Sequence, residues 1–220
     1  MRDDRFARSF LAELEPSVLV SVLQGSQVHH CRSGDIVVSE TDAHWTGVVL
    51  SGMARVFLRT PSGRQVTLRH AQPGSSIGIG ALLGDGAVSA QAVTGCEILR
   101  LDRAQVLRSA ESNASLALAI AKEASIRLVE TYREIVIREQ GSVRQRLARQ
   151  LLNFAGELEH PDTLVLPLSH EDVADAVGSA REVVSRHLER FQSEQMLALD
   201  RGQITLVDPI RLDLAAKQMD

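Results

Sequence analysis

Residues 169 to 192, SHEDVADAVGSAREVVSRHLERFQ, constrain the fold more than any other stretch of the chain. Val173, Ala176 and Val177 fall on one face of a short helix, and Val183, Val184, Leu188 and Phe191 on the inner face of a second. Two amphipathic helices separated only by Gly178 and its neighbours must meet at a sharp joint. Ser169 with Asp172 three residues on comes close to a capping box for the first helix, and Ser179, just after the glycine, is the expected cap of the second. Arg181, Glu182, Ser185, Arg186 and Arg190 then stand on the outward face of the second helix. A charged face of this kind, taken alone, is ordinarily a solvated one. Here it follows a capped short helix and a glycine turn, with two arginines in its first two turns. The pair therefore reads as a helix-turn-helix whose second helix suits the major groove of DNA.

Composition restricts what surrounds this unit. A chain of 220 residues with 44% hydrophobic content can bury one large core or two modest ones. The net charge of -4 does not favour a nucleic-acid partner, but the sign is uneven, with Arg133, Arg138, Arg144, Arg146 and Arg149 crowded into residues 133 to 150. The two cysteines, Cys31 and Cys96, cannot supply the four thiolates of an iron-sulfur cluster and provide no disulfide scaffold, which fits a reducing cytoplasm. MRDDRFARSFLAEL at the N-terminus mixes acids and bases with no long apolar run, so neither a signal peptide nor a membrane span is expected. The seven histidines are scattered and no glycine-rich phosphate loop joins a strand to a helix, so neither an enzyme nor a metal site is expected.

In chain order, residues 3 to 24 read as one or two short helices, with Phe6, Phe10, Leu11 and Leu14 at helical spacing and Val18, Leu19, Val22 and Leu23 continuing it. From Gln27 to Leu101 the period changes. Runs such as DIVVSE, WTGVVLSG, MARVFLRT, RQVTLRHA and CEILRLD alternate with turns at Gly34-Asp35, Ser51-Gly52, Ser62-Gly63 and Pro73-Gly74, the pattern of a small antiparallel barrel or sandwich. After a short helical pattern over 102 to 111, a long helix runs from about Asn113 to Gln140. Along it Leu118, Ala121, Ser125, Leu128, Tyr132 and Ile135 recur at alternating steps of three and four, a heptad seam suited to a second copy of the same helix. Leu116, Ile120 and Ile126 lie on another face and are expected to pack on the β-rich domain. Gly141-Ser142 ends the helix. VRQRLARQLLNFAGEL then forms a helix, HPDTLVLPLS a loop and short strand, and LALDRGQITLVD a hairpin placed as a wing along the phosphates. The expected fold is α+β: a sensor domain over 1–112, a dimerisation helix over 113–140 and a winged helix-turn-helix over 141–220.

This order, together with the Gly34-Asp35 turn, the GVVLSGMARVFL segment and the Gly-Ser-Ala-Arg-Glu-x-x-Ser-Arg run of residues 178 to 186, resembles the Crp/Fnr superfamily of bacterial transcription regulators. The resemblance implies an N-terminal cyclic-nucleotide-binding-like β-roll of jelly-roll type that controls two winged helices across a homodimer. It carries base reading onto Arg181, Glu182, Ser185 and Arg186, with Ser169, Ser179 and the wing residue Arg201 completing the DNA-binding set. The His160-Pro161-Asp162 loop resembles the surface with which members of the cyclic-AMP type touch RNA polymerase.

The sensor departs from the cyclic-AMP pattern. Members that bind this nucleotide carry a Gly-Glu-Leu segment followed by an Arg-Ser pair; here Ile79 stands at the Glu position, and the turn from Gly84 to Ala90 has no arginine. A buried phosphate would lack its cation, so cyclic AMP is not expected as effector. Thr131 matches a purine contact, with Tyr132 beside it, and the effector pocket is expected among Ile79, Gly80, Leu82, Leu128, Thr131 and Tyr132. No cysteine precedes Cys31, which leaves the Fnr-type iron-sulfur cluster without ligands. His29-His30-Cys31 is the one soft-ligand cluster, with His70 at the end of a later strand. Alternation along a strand puts His29 and Cys31, or His30 alone, on the inner side. Such histidines are ordinarily structural; the alternatives are a haem ligand in a carbon monoxide or nitric oxide sensor, and a roll that binds nothing. A stand-alone ligand-binding module would account for the roll but not for the rest.

Overall fold

The alternating segment between Gln27 and Leu101 folds into two facing antiparallel sheets in the computed structural model, which describes residues 8–42, 45–61, 63, 65–84, 88–156 and 164–217, the side chain of Arg138 excepted. The chain divides into two compact units, Met1–Thr131 and Tyr132–Asp220.

The first unit begins with turns over residues 8 to 14 and a helix α1 (Pro16–Leu23) that starts on proline, whose fixed φ suits a first helical turn. The helical reading of residues 3 to 24 is thus confined to the second half, and Phe6 lies outside the described residues. The strands are β1 (Gln27–Cys31), β2 (Ile36–Val38), β3 (Thr46–Ser51), β4 (Ala54–Arg59), β5 (Gln65–Ala71) and β6 (Ser76–Ile77), then, after a one-turn helix α2 (Gly80–Leu83), β7 (Ser89–Ala92) and β8 (Cys96–Leu101). They form sheets ordered β1-β8-β3-β6 and β2-β7-β4-β5. Ser89 and Ala90, read as part of a turn, belong to β7. Between the sheets pack Val38, Trp45, Val49, Ala54, Val56, Ile77 and Ile98. Val48 and Leu50, alternating with Val49 on β3, face a second cluster that holds Leu11, Val22, Ile79, Leu82, Val106, Leu116 and Ile120. Both faces of β3 are covered, which is why TGVVLS reads as a continuous apolar run. At the β3–β4 corner Gly52 has φ +77, and a Cβ there would lie 2.2 Å from the Gly95 carbonyl oxygen, so the corner admits no side chain.

Two helices close the unit: α3 (Arg103–Ser112), capped by the Asp102 carboxylate on the Gln105 N–H at 2.8 Å, and α4 (Ala114–Gln140), whose first turn is capped by Asn113 through the Leu116 N–H at 2.9 Å. Leu116 and Ile120 pack into the apolar cluster as expected, but Ile126 is 49% exposed. The inward position on that turn is polar. The buried Glu123 carboxylate accepts the Ser76 N–H at 3.1 Å and Arg127 Nε at 2.9 Å, while Arg127 Nη1 reaches Glu130 at 2.6 Å and Ser75 Oγ at 3.1 Å.

The second unit takes in the end of α4, then α5 (Val143–Gly156), β9 (Val165–Leu166), α6 (His170–Val177), α7 (Arg181–Ser193), β10 (Leu197–Asp200), β11 (Gln203–Leu206) and α8 (Pro209–Lys217), with a sheet ordered β10-β11-β9. Gly141-Ser142 breaks the chain as read: Ser142 and Gln145 cap α5 reciprocally, and Arg146 Nη1 donates to the Gly141 carbonyl at 3.0 Å. Of the arginines before residue 150, Arg144 and Arg146 are half-buried and Arg149 is buried. Arg149 is buried between Glu134 of α4, at 2.6 Å, and Asp213 of α8, at 2.7 Å. Arg144 bonds Glu194 at 2.7 Å and lies over the Phe191 ring at 4.4 Å. Arg144 and Arg149 are therefore internal wiring, while Arg133 is exposed.

Candidate nucleic-acid interface

The geometry of the joint begins at Ser169. Its hydroxyl accepts the Asp172 N–H at 3.2 Å and the Asp172 carboxylate accepts the Ser169 N–H at 2.8 Å, a full capping box. The Ser169 hydroxyl, donating to the Asp172 carboxylate at 2.6 Å, and then the Ser169 N–H hold that carboxyl below its ordinary range. Nine residues after Ser169, Gly178 adopts φ 67, ψ 50; its N–H bonds the Asp175 carbonyl and the Ser179 N–H bonds the Ala174 carbonyl, so α6 ends in a Schellman turn. That left-handed residue sets the angle at which α7 departs.

Two sequence expectations are corrected here. Ser179 does not cap α7: Ala180 occupies the N-cap with no side-chain bond, because the Schellman turn spends one more residue before the helix starts. On α6 the buried residues are Val173, Ala174 and Val177, and Ala176 is exposed. On α7, Val184, Leu188 and Phe191 are buried and Val183 is half-buried.

Arg181, Glu182 and Arg186 are exposed on α7, and Arg181 Nε keeps only a loose, exposed pairing with Glu171 at 3.8 Å. Such a contact is worth little and breaks readily. Ser185 is half-buried, and its Oγ lies 2.8 Å from Nδ1 of His170, the first residue of α6. If His170 takes the donor role, the Ser185 hydroxyl proton is left to point at a base acceptor. The sequence reading missed this partner, which stands 15 residues upstream. Arg201 is exposed at the two-residue turn between Asp200 and Gln203, the tip of the β10–β11 wing. Further along α7, burial holds the His187 imidazole below its usual range, with Arg144, Arg186 and Arg190 adding to the effect. His160, Pro161 and Asp162 lie outside the described residues.

The residues expected around an effector stand in different surroundings. Ile79 and Leu82 are core side chains of the second apolar cluster, Gly80 opens α2 at the surface, Leu128 and Tyr132 are exposed on α4, and the Thr131 hydroxyl donates to the Arg127 carbonyl at 3.0 Å. Ile79, the residue that the resemblance sets at the position of the ribose-binding Glu, is buried among alkyl side chains. His29 and Cys31 share the inner side of β1 and His30 faces out, 3.3 Å from Glu97. The His29 recess, about 710 Å³, is walled by Gln27, Asp42, Arg100, Asp102 and Arg103 as well as Trp45, which does not fit the apolar pocket a haem requires. His70 is buried on β5.

A capped helix, a left-handed glycine, a second helix with exposed arginines and a wing define a winged helix-turn-helix DNA-binding protein. Comparison with known proteins agrees. Residues 28–113 match the model of the cyclic nucleotide-binding domain and residues 145–214 that of the Crp-like helix-turn-helix domain. The chain is 30% identical over 192 residues to the nitrogen fixation regulation protein FixK of Bradyrhizobium diazoefficiens, covering 85% of this chain and 81% of that one. It is 31% identical over 169 residues to the transcriptional regulator LdrP of Thermus thermophilus, covering 75% and 84%. A solved crp/fnr-family chain from Eubacterium rectale shares the fold at TM-score 0.62 and 23% identity, covering 98% of this chain and 100% of that one. The chain belongs to the Crp/Fnr superfamily and is a DNA-binding transcription regulator of that type. Among the described residues no helix is long and apolar enough to cross a membrane.

Proposed function

We propose that the chain works in the cytoplasm as a homodimer, joined along α4, that reads a palindromic operator through α7 without cyclic AMP. The observation that carries the reading is the exposure of Arg181, Glu182 and Arg186 on a helix whose angle is set by the Gly178 turn. Arginine's fork suits guanine O6 and N7, and a carboxylate accepts from cytosine N4, so Arg186 and Glu182, one turn apart, read a G·C pair and its neighbour together. Ser185, with His170 behind it, favours TTGA-like arms; Arg181 favours TGTGA-like ones. The arms lie about one helical turn, roughly 34 Å, apart. Arg186→Ala is expected to cost about 1–3 kcal/mol and to relax discrimination at the core guanine, whereas Arg201→Ala weakens all sequences alike and lowers the salt slope by about one. Fluorescence titration of operator duplexes differing at that base pair decides it. Full retention of the G·C preference by Arg186→Ala removes α7 as the reader.

Dimerisation rests on a second observation. Leu118, Leu128, Tyr132 and Ile135 of the heptad seam are all exposed on the single chain, as are Ala121 and Ser125, and Ile126, Val129 and Val136 widen the apolar band. A helix with that much bare apolar surface fits a second copy of itself. Glu123 and Arg127 of the same helix bond Ser75 and Ser76 of the roll, which gives the sensor a rigid grip on the seam. The loop at 160–162 is the proposed contact with RNA polymerase. No catalytic role is assigned. For the roll, calorimetric titration with cyclic AMP is expected to give no binding at physiological nucleotide levels; micromolar affinity that switches on DNA binding would overturn this part.

A further inference from the structure

A cavity of about 600 Å³ in the second unit is not used by base reading. The N-terminus of α5, at Ser142 and Arg144, forms one wall; His187 and Arg190 of α7 with Glu194, its C-cap, form another, and Arg211 of α8 a third. Its charges do not balance. Among the lining residues Glu194 is the one carboxylate beside three arginines, accepting from Arg144 at 2.7 Å and from Arg190 at 2.9 Å. Burial raises the Glu194 carboxyl, but the bonds from these two arginines outweigh it, so the group stays ionised below the ordinary carboxylate range. Among the described residues Arg144 Nη1 is buried without a hydrogen-bond partner. Arg211 is exposed, and among the described residues no side-chain partner is bonded to it; its backbone N–H bonds Asp208 at 2.9 Å. His187 on the same wall is held below its usual range first by burial and then by Arg144, Arg186 and Arg190. A 14-residue helix adds the positive end of its dipole.

We infer that this cavity binds a phosphate-class dianion. The exposed Arg211 guanidinium offers a fork that matches phosphate oxygens, and Arg144, Arg190 and the α5 N-terminus supply further positive charge, the combination that selects phosphate over chloride. The dianion comes either from a free phosphorylated metabolite or from the DNA backbone; the second source rests on the DNA reading above, and the first does not.

The test uses the full-length protein and Arg211→Gln, a substitution at an exposed side chain with no bonded partner among the described residues. Pyrophosphate is titrated calorimetrically without DNA, His187 is followed by NMR, and operator affinity is measured against salt. For a free metabolite, pyrophosphate binds, the His187 pKa rises on saturation, and Arg211→Gln weakens binding at least about tenfold, the loss of one charge-assisted pair. For a backbone phosphate, pyrophosphate fails to bind, while Arg211→Gln weakens operator and random DNA alike and lowers the salt slope by about one. No anion binding together with an unchanged salt slope overturns the proposal. A wild-type protein that binds no DNA refutes the DNA reading, and the pyrophosphate titration then decides this site alone.

Discussion

Arg149→Ala is expected to destabilise the second unit by about 3–5 kcal/mol, the cost of breaking a buried ion pair from one side. Arg149 reaches Glu134 on α4 through Nη2 and Asp213 on α8 through Nη1. Asp213 is 0% exposed and holds Lys217 on its other oxygen at 2.7 Å, so three helices meet on one guanidinium. Truncation removes the shared cation and leaves two carboxylates in a site built to exclude water. Lys217→Ala is the control: its side chain is partly exposed, and its loss should cost about 1 kcal/mol or less. The two units can be followed separately in urea, because the single tryptophan, Trp45, lies buried in the first. Far-ultraviolet circular dichroism of Arg149→Ala should therefore lose helix at lower urea than the Trp45 fluorescence transition, which stays near that of the wild type. A midpoint shift worth under about 1 kcal/mol would mean that the network is not a structural tie.

The second large effect is on assembly. Leu128→Glu should convert the protein to a monomer at micromolar concentration in sedimentation velocity, with the single chain's fold intact. Leu128 is 52% exposed on the isolated chain, so a carboxylate there costs the monomer little. In a parallel helix pair the two introduced carboxylates would face each other in a desolvated seam, at an effective penalty of several kcal/mol per ion. Operator affinity should fall with the dimer, since each protomer then holds only one half-site. A Leu128→Glu protein that sediments as a dimer and binds operator normally places the interface elsewhere.

The helix-turn-helix, the wing, the two-sheet roll and the break at Gly141-Ser142 were legible because each rests on local rules: period, caps, left-handed glycine and turn spacing. What escaped depends on partners distant in sequence or on choices that periodicity leaves open. On an eight-residue helix, Ala174 and Ala176 fit an apolar face equally well, and only packing chose Ala174. Ile126 sits at helical spacing from Leu116 and Ile120, yet the inward position belongs to Glu123, whose carboxylate is wanted by the Ser76 N–H 47 residues away. The arginines at 144 and 149 read as surface charge because nothing local announces Glu194, Asp213 or the burial around them. The Ser185–His170 pair was hidden in the same way. α8, which brings Asp213 and Arg211 to their places, carries no motif and was not anticipated.

The central claim, that exposed side chains of α7 read a two-fold symmetric operator, is tested most directly by selecting bound fragments from random-sequence DNA with the wild-type protein and with Arg186→Ala. The account predicts that wild type enriches an inverted repeat with a GA core in each arm, the arms about one helical turn apart, and that Arg186→Ala loses enrichment at the guanine while other positions persist. Failure of the wild type to enrich any repeat, or an Arg186→Ala profile identical to it, would contradict the account.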